Sequence, residues 1–399
     1  MAIDASRLRA DFPVLQSSKA IYFDSACTTL KPRAVIDAEA GYYSGLSACA
    51  GRSHHSLARK TDEMFASSRE RVAAFVGAKP DELVFTKNAT EALNLVVRSL
   101  DYSTRKKVVT TPLEHHSLLL PIMEQQRRGI VEAEYLRIAA DGAIDESSLS
   151  LIGKSTALVA IHHTTNTTGM RAPLEKIVKA AHDAGALVLV DGAQGVPHSR
   201  VDFRRLGADF LAFSGHKMCG PTGIGCLVGR REAFEKLDTF IVGGETVETV
   251  SLQEVKWKAA PKRFEGGIQN YAGAIGLAAA CGYLSKIGME SIEEHEKKMA
   301  RALMDAITSI PNSAIYGSKT APRCALVSFS LKGVSAHQVA LMADSLSKIA
   351  LRSGVFCAEP GANALGFGKG AARASLYLYN TEEEVRIFAE TMGKIAKLA

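Results

Sequence analysis

Asp191 and Lys217 are the two residues whose types and spacing most directly imply chemistry. Asp191 closes an apolar run of strand length over 186–190, in Val190-Asp191-Gly192-Ala193-Gln194. Lys217 follows 26 positions later, in Ser214-Gly215-His216-Lys217. A carboxylate at the end of one buried strand and an amine past the end of the next suit an aromatic aldehyde cofactor, pyridoxal 5'-phosphate (PLP). Lys217 would hold the aldehyde as a Schiff base. Asp191 would keep the pyridine nitrogen protonated, so that the ring accepts an electron pair from a substrate carbon. Each residue alone also reads as a surface lysine or a turn aspartate, and the residues around them decide between the readings.

Other polar residues fall at the same strand ends. Ala89 and Thr90 open a helix after the strand over 83–86, where unpaired N–H groups and the helix dipole suit a phosphate. Ser214 and His216, on either side of Gly215, complete a cup for it. Thr90 alone is equally an ordinary helix cap, and His216 an ordinary loop histidine. His115, after Glu114, can stack on a flat ring and carry protons near pH 7, whereas its neighbour His116 reads as structural. Asn166 and Gln194 are short amides suited to a phenolic oxygen or to a loop backbone.

Cys357 follows Arg352-Ser353-Gly354-Val355-Phe356, and Glu359, Pro360, Gly361 and Gly366 mark its surroundings as a loop. A free cysteine is usually a small buried apolar group. Here Arg352 lies five positions before it and Arg373 sixteen after it. Guanidinium groups grip carboxylates bidentately and help to ionise a thiol. Cys27 and Cys49, in loop-like stretches, are lesser candidates. Cys219, Cys226, Cys281 and Cys324 read as packing residues.

These residues need a framework, and the rest of the chain supplies one. The 399 residues are enough for a large core and two packed parts. From residue 21 strands and helices alternate, with strands expected over 83–86, 107–111, 157–162, 186–190, 210–213 and 224–228. That alternation implies an α/β fold with a mostly parallel sheet flanked by helices, and ligands bind beyond the carboxyl ends of such strands. A smaller α+β part follows, with strands expected over 325–331 and 374–379. Ser291 with Glu294, and Thr381 with Glu384, read as capping boxes. The expected division is an arm over 1–20 packing with the small part, a cofactor-binding part over 21–265, and an interdomain helix with the small C-terminal part over 266–399.

Composition excludes several classes. The net charge of +6 is spread without a cluster of five or more Lys/Arg, so no nucleic-acid partner is expected. No apolar run reaches the ~18 residues that span a bilayer, and the N-terminus lacks the order of a signal peptide, so no membrane association is expected. The seven cysteines form no C-x-x-C pair. They argue against a disulfide framework and for a reducing cytoplasm, and no metal site is expected.

Together, Glu114-His115-His116-Ser117, Asp191-Gly192-Ala193-Gln194, Ser214-Gly215-His216-Lys217, Gly220-Pro221-Thr222-Gly223-Ile224-Gly225 and Arg373-Ala374-Ser375 resemble the class V aminotransferase-like enzymes of PLP fold type I. Within these, the sequence is most similar to the cysteine desulfurase/selenocysteine lyase branch with a short catalytic loop. The resemblance runs in order from about Tyr22 to the last helix. It implies that Lys217 is the Schiff-base lysine, that His115 stacks on the ring, and that Asp191 pairs with the pyridine nitrogen. It also implies that Asn166 and Gln194 reach the phenolic oxygen or the substrate, and that Ala89, Thr90, Ser214 and His216 hold the phosphate. Arg373, with Arg352 nearby, is then the substrate-carboxylate site.

Cys357 falls where the family forms its persulfide. The implied reaction takes L-cysteine to L-alanine, with Lys217 removing the Cα proton and Cys357 taking the sulfur. A homodimer with sites at the subunit interface, a sulfur-acceptor protein and sulfur mobilisation such as iron–sulfur cluster assembly are implied with it. Two departures stand out. Ile268-Gln269 replaces a usual Thr-Pro whose Thr reaches the phosphate of the neighbouring subunit. Val355-Phe356 stands where relatives often have histidines, an apolar wall beside the thiol. A transaminase, a selenocysteine lyase or a β-lyase would keep the cofactor and leave Cys357 incidental, and their products would differ. A non-enzymatic scaffold is opposed by the intact Lys217, Asp191 and His115.

Overall fold

A computed structural model describes residues 3–51 and 53–398. Seven strands form the central sheet, in the spatial order Leu83–Thr86, Gly225–Gly229, Phe210–Ser214, Leu187–Asp191, Thr156–His162, Lys107–Thr110, Glu132–Tyr135. Only Gly225–Gly229 runs against its neighbours, and the other pairings are parallel. Helices cover both faces, and the central strands are accordingly apolar along their whole length: Phe-Leu-Ala-Phe-Ser at 210–214 is buried at every position. The antiparallel strand passes directly beneath the start of the helix Ala89–Ser99. A Cβ at Gly225 would lie 2.5 Å from the Asn88 Cα and 2.7 Å from the Phe213 carbonyl oxygen, so only glycine admits that approach.

A second sheet, Ser313–Tyr316, Leu326–Leu331, Ala371–Ser375 and Arg352–Gly354, is wholly antiparallel. It backs onto the helices Met289–Thr308, Ala336–Ser347 and Glu382–Ala396 around Phe329, Phe388 and Leu303. The chain before the large sheet ties the two parts together. Ile21–Tyr22 pairs in parallel with Ile349–Ala350, and Ile21 and Phe23 pack in the core of the second sheet. Arg9 reaches Glu384 at 2.7 Å, and Phe12 packs edge-on against Tyr379. The helix Tyr271–Ile287, rich in Ala and Gly, packs closely on Arg33–Gly45 and Ser56–Phe75.

Several local expectations shift. The strand expected over 374–379 lies at Ala371–Ser375, because beyond Ser375 the Leu376 N–H turns to the Ala325 carbonyl. Ser291 does not cap its helix. Gly288, at φ 94°, turns the chain out of the preceding helix and its carbonyl accepts from Ile292 N–H, so the helix begins at Met289. Thr381 and Glu384 do form a capping box. The segment after Cys357 is not an open loop: Glu359–Ala364 is helical, with Pro360 in its first turn, where a missing N–H costs nothing. A hairpin, Val247–Val250 with Val255–Trp257, had no sequence signal, because its strands are exposed and lack alternation.

Candidate active site

A cavity of about 220 Å³ opens at the carboxyl ends of the central strands, between the two sheets. All twelve residues singled out in the sequence line it: Ala89, Thr90, His115, Asn166, Asp191, Gln194, Ser214, His216, Lys217, Arg352, Cys357 and Arg373. The first nine come from the large sheet's strand ends, and the last three are brought over by the second sheet.

Asp191 ends its strand with one carboxylate oxygen accepting from the Ala193 N–H at 2.9 Å. Burial pushes its pKa up, opposed by that hydrogen bond and by the charge of Lys217. A cation set against Asp191, such as a protonated ring nitrogen, would relieve the cost of holding it ionised. Lys217 is half-buried at the cavity, and its amine donates no hydrogen bond to any described residue. Burial lowers its pKa, with Asp191 pulling the other way. A desolvated amine of this kind is more often neutral and nucleophilic toward an aldehyde.

At the other end, Asn88 caps the helix Ala89–Ser99 by accepting from Glu91 N–H. The Ala89 N–H donates to the Ser214 hydroxyl at 2.8 Å, which leaves that hydroxyl's own proton to donate into the cavity. Thr90 bonds through its hydroxyl to Ser117 at 2.7 Å. The Thr90 amide, left without a partner among the described residues, and the Ser214 and Thr90 hydroxyls gather at the helix N-terminus as a donor set for a phosphate. A buried carboxylate, an unpartnered half-buried amine and this set fit PLP at its three polar points.

His115 caps the helix His116–Arg127: its Nδ1 accepts from Ser117 N–H at 3.1 Å, which places any single ring proton on Nε2. Burial, with the charge of Lys217, lowers its pKa to about 3. The imidazole is therefore neutral at pH 7, and the expectation that it titrates near neutrality is corrected: it offers a flat face rather than an exchanging charge. Gln194 donates to the Ala26 carbonyl at 2.7 Å and accepts from His198 at 3.1 Å, so only its second N–H remains for a ligand. Asn166 spends its amide nitrogen on the Phe356 carbonyl at 2.7 Å. Its link to the thiol loop could not be read from sequence.

Arg352 and Arg373 are direct partners across the second sheet, so both guanidinium groups stand on one face at the cavity. Arg373 is 3% exposed; it donates to the Asn166 carbonyl at 2.8 Å and lies 3.4 Å from Asp24. Its Nε is buried without a partner. Two adjacent like charges, one with an unmatched donor, favour a carboxylate between them. Cys357 is exposed at the cavity mouth. Phe356 and Cys357 both take left-handed backbone conformations, at φ 58° and 55°, which costs about 1–2 kcal/mol each for residues with a Cβ. Phe356 lines the same cavity as the thiol. It packs on Phe367 and lies under the Arg373 guanidinium, 4.7 Å from the ring centre.

Sequence reasoning ranked Cys27 low and missed His162 and Ser117, which all line the cavity. His162 pairs in register with Asp191 and binds the fully buried Glu114 at 2.8 Å. The only signal for it was a histidine at the end of a buried strand.

Three histidines of this region set an acid limit on stability. Burial holds His115 and His163 at about 3 and His216 at about 4. Below the ordinary 6.5 the unfolded chain binds a proton at each while the folded chain does not, so stability is full above that value and falls as pH drops toward 4. The apoprotein's unfolding free energy in urea titration, and its midpoint with it, is expected to fall between pH 7 and 5, by on the order of 1 kcal/mol per histidine per pH unit. A midpoint flat over that range contradicts the burial of these rings.

Known proteins resemble this chain over nearly its whole length. The family model described as Aminotransferase class-V matches residues 21–388. A probable cysteine desulfurase of Halalkalibacterium halodurans is 38% identical over 401 aligned residues, covering 98% of each chain. Among solved structures, the apo cysteine desulfurase from Thermococcus onnurineus NA1 superposes with a TM-score of 0.95 at 38% identity, covering 100% of this chain and 99% of its own. The cysteine desulfurase CsdA of Escherichia coli, in its S-sulfonic acid form, gives 0.92 at 31% identity, covering both chains completely. A match over so much of the length, reaching from the first paired strand to the last helix, shows that this chain belongs to the class-V aminotransferase family.

Proposed function

We propose that this protein is a PLP-dependent cysteine desulfurase that converts L-cysteine to L-alanine and takes the sulfur onto Cys357 as a persulfide. The cysteine desulfurase class and the cofactor follow from the full-length relatives and the family. The observation that carries the residue assignment is one cavity lined by a half-buried amine, an exposed thiol and two guanidinium groups.

Asp191, Lys217 and the donors around Ala89, Thr90 and Ser214 would hold the cofactor, with His216 beside them and His115 across its face. When bound, it supplies a sink for the electron pair left at the substrate Cα. Arg373 and Arg352 fix the substrate carboxylate. Lys217, as a neutral amine, takes the Cα proton. The Cys357 thiolate attacks the substrate sulfur: the S–S bond forms as the Cβ–S bond breaks, the electron pair of that bond stays with the substrate carbon, and protonation completes alanine. The direct test is incubation with L-cysteine, then mass spectrometry of the Cys357 peptide. The mass of one added sulfur is expected, and an unmodified peptide with continuing sulfide release would move the chain to the β-lyase reading.

The Arg373→Lys variant separates charge from geometry. Lysine keeps the charge and loses the fork that meets both carboxylate oxygens. The KM for L-cysteine is expected to rise about 10- to 100-fold, with a smaller change in kcat.

A homodimer is supported by apolar side chains that have no cover among the described residues. Val250, Leu252 and Ile268 are 66%, 100% and 76% exposed, and Gly266, two positions before Ile268, lies against the exposed Ile241. A second copy covering these side chains fits the departure at Ile268: the position meets a partner by apolar contact rather than through a hydroxyl. The exposed Cys357 suits delivery of sulfur to an acceptor protein. Seven free thiols support a reducing cytoplasm, and no single helix among the described residues is long and apolar enough to cross a membrane.

A further inference from the structure

The Cys357 segment is tied down by a residue outside the chemistry described above. The Cys357 carbonyl accepts from the His116 backbone N–H at 2.8 Å. The His116 imidazole continues past the thiol to Glu359, with Nε2 2.5 Å from Oε2. Glu359 is the first residue of the short helix that follows Cys357. His116 thus holds the loop at the reactive residue and just beyond it. The opposite side is held by Asn166, through the Phe356 carbonyl.

Two of the residues held this way, Phe356 and Cys357, carry left-handed backbone without being glycine. Such a conformation persists only where its surroundings over-determine it, and it relaxes when a tie is lost. The backbone tie comes from a helix-start amide that has no intrahelical acceptor. The side-chain tie is exposed to solvent at both ends, 28% for His116 and 53% for Glu359, and is therefore the one that opens most readily.

We propose that His116 and Glu359 form a latch that holds the Cys357 loop in its left-handed conformation over the cavity. His116 is a positioning residue, and the open latch is the state that carries sulfur outward to an acceptor. The inference rests on Cys357 being the sulfur-carrying thiol.

The test compares holoenzyme variants His116→Leu, Glu359→Ala and the double change, with Glu359→Gln as the conservative control. Backbone amide exchange at 355–358 and the rate of Cys357 alkylation by iodoacetamide are both read without substrate. Each single variant is expected to raise both rates about fivefold, as loss of one solvent-exposed pair allows. The double variant rises no further than either single change, and Glu359→Gln, which keeps an acceptor, stays near the parent. In turnover, kcat falls about fivefold while the KM for L-cysteine and the cofactor's visible band hold. Parent-like exchange in the single variants, or effects that add in the double variant, overturns the latch. Absence of added sulfur on the parent's Cys357 peptide overturns the desulfurase reading instead, and the exchange result still decides the latch.

Discussion

Lys217→Ala is expected to lower L-cysteine turnover by about 10³- to 10⁴-fold, the loss associated with removing a positioned proton carrier. The amine has no hydrogen-bond partner among the described residues, so its removal breaks no network and leaves the fold intact. The variant should still take up PLP through Asp191 and the donors at the start of Ala89–Ser99. It should lose the covalent link, seen as a shift of the visible band and release of the cofactor on gel filtration in denaturant. A small added amine is expected to restore part of the turnover. Full activity in the variant, with an unshifted band, would remove Lys217 from both roles.

The large sheet was legible in the sequence because its strands are buried on both faces and therefore read as unbroken apolar runs. Val188 to Asp191 and Phe210 to Ser214 are such runs, and their ends marked the site. The elements that escaped lack that signature. Glu132–Tyr135 is an edge strand with no fully buried residue, and the 247–257 hairpin is exposed almost throughout. The segment 21–25 was placed with the large part because it precedes it in order, whereas Ile21 and Phe23 are buried against the second sheet. Its pairing with Ile349–Ala350 is a contact across more than 300 residues, for which local pattern carries no information.

The site divides in the same way. Residue types at strand ends indicated which groups gather, but not how they are spent. Gln194 is committed at both ends of its amide, to Ala26 and to His198, and His198 in turn to Glu296 at 2.8 Å in the second part of the chain. His115 looked like a proton carrier by type, and its capping bond to Ser117 and its burial make it a neutral plate. The pairing of Arg352 with Arg373 depends on the register of two antiparallel strands. The strain at Phe356 and Cys357 has no signal in sequence at all, since neither residue type favours the conformation it adopts.

The same strain makes Cys357→Ala a clean experiment. The ties on the loop run through backbone carbonyls, from His116 to Cys357 and from Asn166 to Phe356, and Ala offers the same carbonyl and the same Cβ. The loop should keep its shape while losing only the sulfur. Desulfuration of L-cysteine is then expected to fall by at least ~10²-fold, equivalent to about 2.7 kcal/mol in barrier. Exchange of the substrate Cα hydrogen with deuterated solvent, the step proposed for Lys217, should continue at near the parent rate. That split separates the competing readings. A desulfurase that stores sulfur on Cys357 loses sulfide and alanine and keeps Cα exchange. A β-lyase or a transaminase, for which the thiol is incidental, keeps its products as well. Unchanged sulfide release from Cys357→Ala would leave Lys217 as the reactive centre and return Cys357 to the role of an exposed thiol on a strained turn.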